Sequence, residues 1–520
     1  MEEKAERNCK SKEKKEDIER PACTKNNNEA CPEKNSAIEG ETAKEASETL
    51  SLMDECVSLY KGKGNVQFLK MRDEKVTVGK GFFENMKADC EIIVPDKYKK
   101  HLFISEEECV IDQIAKIATF PGVISPVIGL PDIHAGVVFP VGVCALFDAE
   151  NPECVVLPEA IGSDVNCGVR VWKTNIKYKE FMEHRQQMME LVKSAVPVDE
   201  NTEAEDLSIA RILEEGLEYL VSLDILKKED LERTENNGRV RISRSKAVGQ
   251  SPRAKGEKHL GTLGSGNHYL EFQLVSEIYQ EEAARRLGLE KDDICVSVHT
   301  GSRGLGFRAV TEFIKKIKER YPVGEVVSVP LNSKMGQEYL EVVGAASNFA
   351  FCNRAIIGKR IQKELQKVFP HAKMEIISDS PHNIAKIEDI DGKPRLVVRK
   401  GSTRVGSRGG EKSPVSVGGS MSTGSYLICA GENASSTNNT TCHGSGRIVR
   451  RKDAKEEISV EETLRQIDVA GALVHANNLQ SLPEESEQAY KSIDEVAECC
   501  ENQKISEKIC RLLPLLVIKG

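Results

Sequence analysis

The sequence predicts an α+β protein, and three observations predict it. Short apolar runs rich in Val, Ile and Cys read as buried strands. Longer runs with apolar residues three and four apart read as helices. The two kinds interleave without a regular βα period, which argues against a doubly wound sheet.

In chain order, residues 1–50 are rich in Lys, Glu, Asn and Ser and free of aromatics, so they read as a disordered charged extension. Cys9, Cys23 and Cys31 lie there without paired CxxC spacing, so no zinc motif is read. Globular patterning begins near residue 65 and runs to residue 520. "CEIIVPD", "VCALFDA", "CVVLPEAI", "DICVSVHT", "EVVSVPL" and "RLVVRK" read as strands, while "KEFMEHRQQMMELVKSA" and "EAEDLSIARILEEGLEYLVSL" read as helices. From about Gly336 to Phe369 the pattern gives a long helix or a broken pair, with Ala346, Ala350, Ile357, Ile361, Leu365 and Val368 on one face. The terminal run "LLPLLVIKG" reads as a segment tucked into the core, which carries Lys519 to a defined place. No tandem repeat of fixed period is visible.

No apolar run reaches the roughly 18 residues that span a bilayer. The first twenty residues have no apolar h-region, so the expectation is a soluble intracellular protein, cytoplasmic or nuclear, with no membrane partner. Its 16 cysteines are then expected to be reduced thiols, most of them buried or inert. Net charge is −9, which speaks against nucleic acid, but local charge does not. Arg233 to Lys258 holds eight Lys/Arg against two Glu, "KPRLVVRKGSTRVGSRGGEK" holds seven against one, and "RIVRRK" adds a third basic segment. Each reads either as a phosphate-tracking stretch or as a solvated loop.

The chemistry sits in loops. His134, His268, His299, His382 and His443 all lie among small or polar residues, and "AIGSDVNCGVR" sets Asp164 and Cys167 three apart. Converging Asp, Cys and His would make a mixed O/S/N site for Mn²⁺ or Zn²⁺, with a thiolate able to bridge two ions. "TTCHGSGRIVRR" places His443 in a Gly-Ser-Gly turn ahead of Arg447, Arg450 and Arg451, the neighbours a histidine needs to meet a phosphate. The residues alone do not say which histidine is the nucleophile and which are ligands.

"GLPDIHAG", "DVNCGVR", "LGTLGSGNHYLE", "VHTGSRGLG", "SPHNIAKIE", "RKGSTR", "GGSMSTGSY", "TTCHGSGR" and "VIKG" resemble, in order and form, the motifs of the RtcB family, the GTP-dependent RNA ligases of tRNA splicing and RNA repair. The resemblance covers about residues 65–520 and implies one catalytic domain, with mixed β-sheets flanked by helices around a central dinuclear metal cleft. It implies joining of RNA 3′-phosphate or 2′,3′-cyclic phosphate ends to 5′-hydroxyl ends through a covalent histidine–GMP intermediate, with His443 as nucleophile. It implies two Mn²⁺ ions at Asp164, Cys167, His268, His299 and His382, with Cys167 as the bridge. For GTP it implies Asn267, Glu271, His382, Asn383, Gly418, Gly419, Ser420, Met421, Ser425, His443, Gly444, Ser445, Gly446 and Lys519. Glu271 would accept from guanine N1 and N2 and Lys519 would donate to O6, selecting GTP over ATP. The implied partners are RNA such as tRNA exon halves, an archease activator, and a tRNA ligase complex with a DEAD-box helicase. The chain departs from the family at Phe307, where any supporting role behind the site is lost or moved, and in the acidic loop "DENTEAEDLS" after Val198 and the segment after Arg404, which bear on RNA contacts. Three other readings stay open: a metal-dependent cyclic phosphodiesterase, a 3′-phosphate guanylyltransferase that does not seal, and a non-catalytic scaffold.

Overall fold

The computed structural model describes residues 51–520 apart from 105–107, 163, 202–205, 322–323 and 409–410. The extension read over residues 1–50, with its three cysteines, lies outside the described residues.

Two mixed layers of strand carry the architecture. One sheet runs Leu69–Arg72, Lys75–Val78, Cys90–Ile93, Val123–His134, Val141–Asp148, Lys393–Lys400, Asn383–Ile390, and its one parallel pair joins Cys90–Ile93 to Val123–His134. The other runs Met374–Pro381, Gly168–Lys177, Asp293–Thr300, Tyr269–Ile278, Ser506–Lys519, Ser425–Ala430, Val415–Gly418, with Leu473–Ala476 added in parallel along the last residues of Ser506–Lys519. The chain itself joins the sheets: Met374–Pro381 is an edge of one, Asn383–Ile390 an edge of the other, and only His382 stands between them.

The expected helix after Gly336 is a single unbroken one, Lys334–Val368, started by Ser333, whose side chain accepts from Gly336 N–H. It is buried all round through its middle rather than along one face, because it feeds two apolar clusters. Tyr339, Phe349 and Phe351 pack into the larger one, and Ile357, Ile361 and Leu365 into the second, with Trp172 and Phe272. Small residues allow this: a Cβ on Gly344 would come within 1.8 Å of the Ile242 carbonyl oxygen, and one on Gly358 within 2.2 Å of the Trp172 ring.

Other elements differ from expectation for local reasons. "CVVLPEAI" and "EVVSVPL" yield only Val155–Val156 and Val329–Pro330, paired with each other in one two-residue ladder that includes Pro330 and stops short of the turn opened by Pro158. The helix read over residues 203–223 is two, Ile209–Glu215 and Leu217–Ser222, broken at Gly216, which adopts φ 56° beneath Gly238. The strand Val123–His134 went unread because Pro126 and Pro131 interrupt its pattern, and its register shifts twice against Val141–Asp148. The terminal apolar run is the interior of Ser506–Lys519, with neighbours on both sides and with Leu512, Leu516 and Val517 fully buried. All thirteen described cysteines are buried and unbridged.

Candidate active site

The loop ahead of Gly168–Lys177 is a tight turn in which Cys167 N–H donates to Asp164 O (3.1 Å) and Asn166 takes φ 57°. It is laced to the joint between the sheets, since His382 N–H donates to Cys167 O and Asn166 N–H donates to Asn383 O, both at 2.7 Å. His299 lies near the end of Asp293–Thr300, opposite Val169 on one side and Tyr269 on the other, next to His268. Strand pairing therefore gathers residues more than a hundred positions apart. Cys167 Sγ is 3.4 Å from His268 Nε2 and 3.2 Å from His299 Nε2, His268 Nε2 is 2.8 Å from Asp164 Oδ2, and His299 Nε2 is 3.2 Å from His382 Nε2.

Two donor groups result, Asp164–Cys167–His268 and Cys167–His299–His382, and Cys167 belongs to both. Burial, reinforced by neighbouring histidines, holds His299 and His382 well below the usual imidazole range, so both rings are neutral and carry a lone pair. Burial and the Asp164 carboxylate push the Cys167 thiol far up, so a cation must displace its proton to bind there. Asp164 Oδ1 is buried without a hydrogen-bond partner. A mixed O/S/N donor set with an unsatisfied carboxylate oxygen fits a borderline divalent ion.

His443 extends the row. Ring centroids step 5.4 Å from His268 to His299, 4.9 Å to His382 and 4.8 Å to His443. The short ladder pairing Ser402–Arg404 with Thr440–Cys442 delivers His443 to this place, and Ser402 N–H is held by His382 O at 3.1 Å. Its Nδ1 lies 2.6 Å from Oδ2 of Asp132, which is fully buried; the same oxygen accepts from His443 N–H at 2.9 Å. A carboxylate only accepts, so Nδ1 donates at this contact, which leaves Nε2 as the nitrogen turned from Asp132.

The turn's glycines serve close packing rather than contact with an anion. The N–H of Gly444 is directed to Asp132 and that of Ser445 to Gly418 O, so neither awaits an anion. A Cβ on Gly446, at φ 74°, would come within 1.9 Å of the Asp132 carbonyl oxygen, and one on Gly444 within 2.8 Å of that of Gly418. The glycines let this turn press against Asp132 and Gly418, and the cationic work falls to arginines.

A cavity of about 500 Å³ opens beside the row. His299, His382, Asn267, Glu271, Asn383, Gly418, Gly419, Ser420, Met421, His443, Gly444, Ser445, Gly446 and Lys519 all line it, as do Arg447, Arg450 and Arg451. Ser425 does not line it; it sits behind Glu271, both reached by the Gln273 amide at 3.4 and 2.7 Å. Asp164, Cys167 and His268 lie at the cluster rather than on the cavity wall. Burial raises the Glu271 carboxyl to about 7 and lowers the Lys519 ammonium, whose Nζ donates to Gly266 O at 2.7 Å. His134 lines the cavity with Nδ1 2.9 Å from Asp132 O, outside both donor groups.

Of the basic segments, the first is largely neutralised at the surface: Arg239 pairs with Glu218, Arg244 with Glu341 and Lys255 with Glu200. The third reaches the cavity, though Arg447 and Arg451 also engage Glu485, a buried carboxylate. Burial opposes the Glu485 charge, but Lys519, Arg451 and Arg447 outweigh it and hold its carboxyl low. Sequence reasoning missed Asp132, Glu485, Tyr490 and Lys400, all of which contact or line this region. Asp132 stood within "GLPDIHAG", while "LPEES" gave no sign of Glu485.

The chain is 35% identical over 489 residues to RNA-splicing ligase RtcB homolog 2 of Entamoeba dispar, covering 87% of this chain and 93% of that one. It is 34% identical to RNA-splicing ligase RtcB homolog 1 of Entamoeba histolytica over the same shares, and 34% identical to tRNA-splicing ligase RtcB of Archaeoglobus fulgidus, of which it covers 98%. The family model described as tRNA-splicing ligase RtcB matches residues 113–520, a span that holds Asp132, His443 and every residue of both donor groups, and the chain belongs to the RtcB family.

Proposed function

We propose that the protein is an RNA ligase of tRNA splicing and RNA repair that joins 3′-phosphate or 2′,3′-cyclic phosphate ends to 5′-hydroxyl ends, using GTP and Mn²⁺. The observation that carries this reading is His443, held by the buried Asp132 behind it, on the wall of a cavity that His299 and His382 also line. His443 Nε2 attacks the α-phosphorus of GTP; an N–P bond forms and the bond to the β-phosphate oxygen breaks, releasing pyrophosphate. Asp132 keeps the ring in the attacking tautomer and stabilises the positive charge that develops on it. A 2′,3′-cyclic end is first opened by water, which breaks the P–O2′ bond and leaves a 3′-phosphate. An oxygen of that 3′-phosphate then attacks the GMP phosphorus, breaking the N–P bond to His443, and the 5′-hydroxyl oxygen attacks the RNA phosphorus, losing its proton and expelling GMP.

Arg447, Arg450 and Arg451 offset phosphate charge, and Asn267 and Asn383 hold phosphate oxygens. Glu271 and Lys519 read the guanine edge, with Lys519 donating to O6. Mn²⁺ bound by Asp164, Cys167, His268, His299 and His382 supplies charge neutralisation at the phosphates. RNA ends such as tRNA exon halves are the substrates; an archease activator and a complex with a DEAD-box helicase are the proposed partners, in cytoplasm or nucleus.

The test is incubation of full-length protein with α-labelled GTP and Mn²⁺, with and without archease, for wild type and His443→Ala, followed by addition of paired RNA ends. Acid-labile label on the wild type alone, then joined RNA, is the expected result. Label without joined RNA would leave a guanylyltransferase that does not seal. Absence of label in folded protein under every condition would overturn the histidine–GMP step.

A further inference from the structure

Arg354, in the middle of the helix Lys334–Val368, is completely buried. Its guanidinium is fully used: Nε donates to Asp379 Oδ1 (2.8 Å), Nη1 to the carbonyl oxygens of Asn166 (2.8 Å) and Thr300 (2.9 Å), and Nη2 to Asn166 Oδ1 (2.8 Å). Those partners belong to three separate segments. Asn166 precedes Cys167, Thr300 follows His299, and Asp379 stands three residues before His382, on the strand that ends beside it. One side chain thus ties together the three segments bearing the group Cys167–His299–His382.

The preceding residue serves the other arm. Asn353 Oδ1 accepts from Gly261 N–H (2.7 Å) and Thr262 N–H (3.2 Å), and Nδ2 donates to Thr262 O (3.1 Å) and Gly301 O (3.3 Å). That loop leads into His268. Asp379 also accepts from Arg170 Nη1 at 3.1 Å, so two guanidinium groups share one buried carboxylate. Stability alone does not account for such an arrangement, since well-packed apolar side chains commonly replace buried ion pairs without loss. A planar fork that spans acceptors on three segments has no apolar equivalent. Ligands held in place before an ion arrives spare its binding energy the work of ordering the chain.

Resting on the metal-binding reading above, we infer that Arg354 is a positioning residue for the donor cluster, setting the Cys167–His299–His382 group. The test titrates metal-free full-length protein with Mn²⁺, and with Co²⁺, whose thiolate charge-transfer absorption reports on Cys167. Arg354→Lys is measured alone, with His268→Ala, and with His382→Ala. Affinity is expected to fall about tenfold or more where Cys167–His299–His382 is the remaining group. Where Asp164–Cys167–His268 remains, a smaller fall is expected, because Arg354 holds that group only through Asn166. Asn166→Gly keeps the left-handed turn and removes only the Oδ1 acceptor; a smaller loss in the same background is expected, and this variant carries the test if Arg354→Lys does not fold. Equal loss in both backgrounds, or unchanged affinity and absorption in folded variants, would overturn the inference while leaving the metal site standing. Absence of metal binding in the wild type would overturn both.

Discussion

His443 draws its proposed reactivity from a residue 311 positions away in the chain, the buried Asp132. Asp132→Asn preserves shape but presents an amide to Nδ1, which favours the tautomer with its proton on Nε2. The rate of covalent labelling should drop by about 10³- to 10⁴-fold in single-turnover assays, with little change in melting temperature. Glu271 makes a second prediction at this scale. Burial raises its carboxyl from 4.5 to about 7, so across that interval the folded protein holds a proton the unfolded chain has released. Its contribution to stability therefore declines as pH rises. Nucleotide affinity should run the other way, because only the carboxylate accepts from both guanine donors. Metal-free GTP binding is expected to strengthen about tenfold between about pH 6 and pH 8, and Glu271→Gln should flatten that profile.

The strand Ser506–Lys519 shows how one element serves both fold and site. Removing residues 516–520 deletes the buried Leu516, Val517 and Ile518 along with their ladder to Tyr269–Phe272. At about 1.5–3 kcal/mol per buried side chain, that loss approaches the whole stability of a typical domain. The truncated chain should melt far below the full-length protein or fail to accumulate in soluble form. Lys519→Met, by contrast, should keep its melting temperature and lose discrimination between GTP and ATP in competition binding. Elements whose burial is written as a local pattern, such as Cys90–Ile93, Asp293–Thr300 and Lys393–Lys400, were legible in the sequence. Val123–His134 was not, because its prolines deny the pattern while long-range pairing still makes the strand. The site divides in the same way. Histidines in glycine-rich loops announce themselves, whereas Asp132, Glu485 and Arg354 matter only through partners that the fold supplies.

The donor cluster draws on strands of one sheet and on the joint to the other, so a bound ion would brace both. At a hundredfold excess over its dissociation constant an ion adds about 2.7 kcal/mol, a few degrees of melting temperature for a chain this long. Thermal melting with and without Mn²⁺ should show that rise in the wild type and none in Cys167→Ala. The rise should shrink as pH falls, since the raised Cys167 thiol must give up its proton to bind. The joint at His382 also governs how this chain can change in length. A strand reverses the face of every side chain when it slips by one residue. One amino acid added beside His382 would lengthen the one-residue joint and move the histidine off the row it shares with His299 and His443. Insertions and deletions can therefore accumulate in the loops between other elements, but the joint from Pro381 to Asn383 is held to one residue by the two sheets it links.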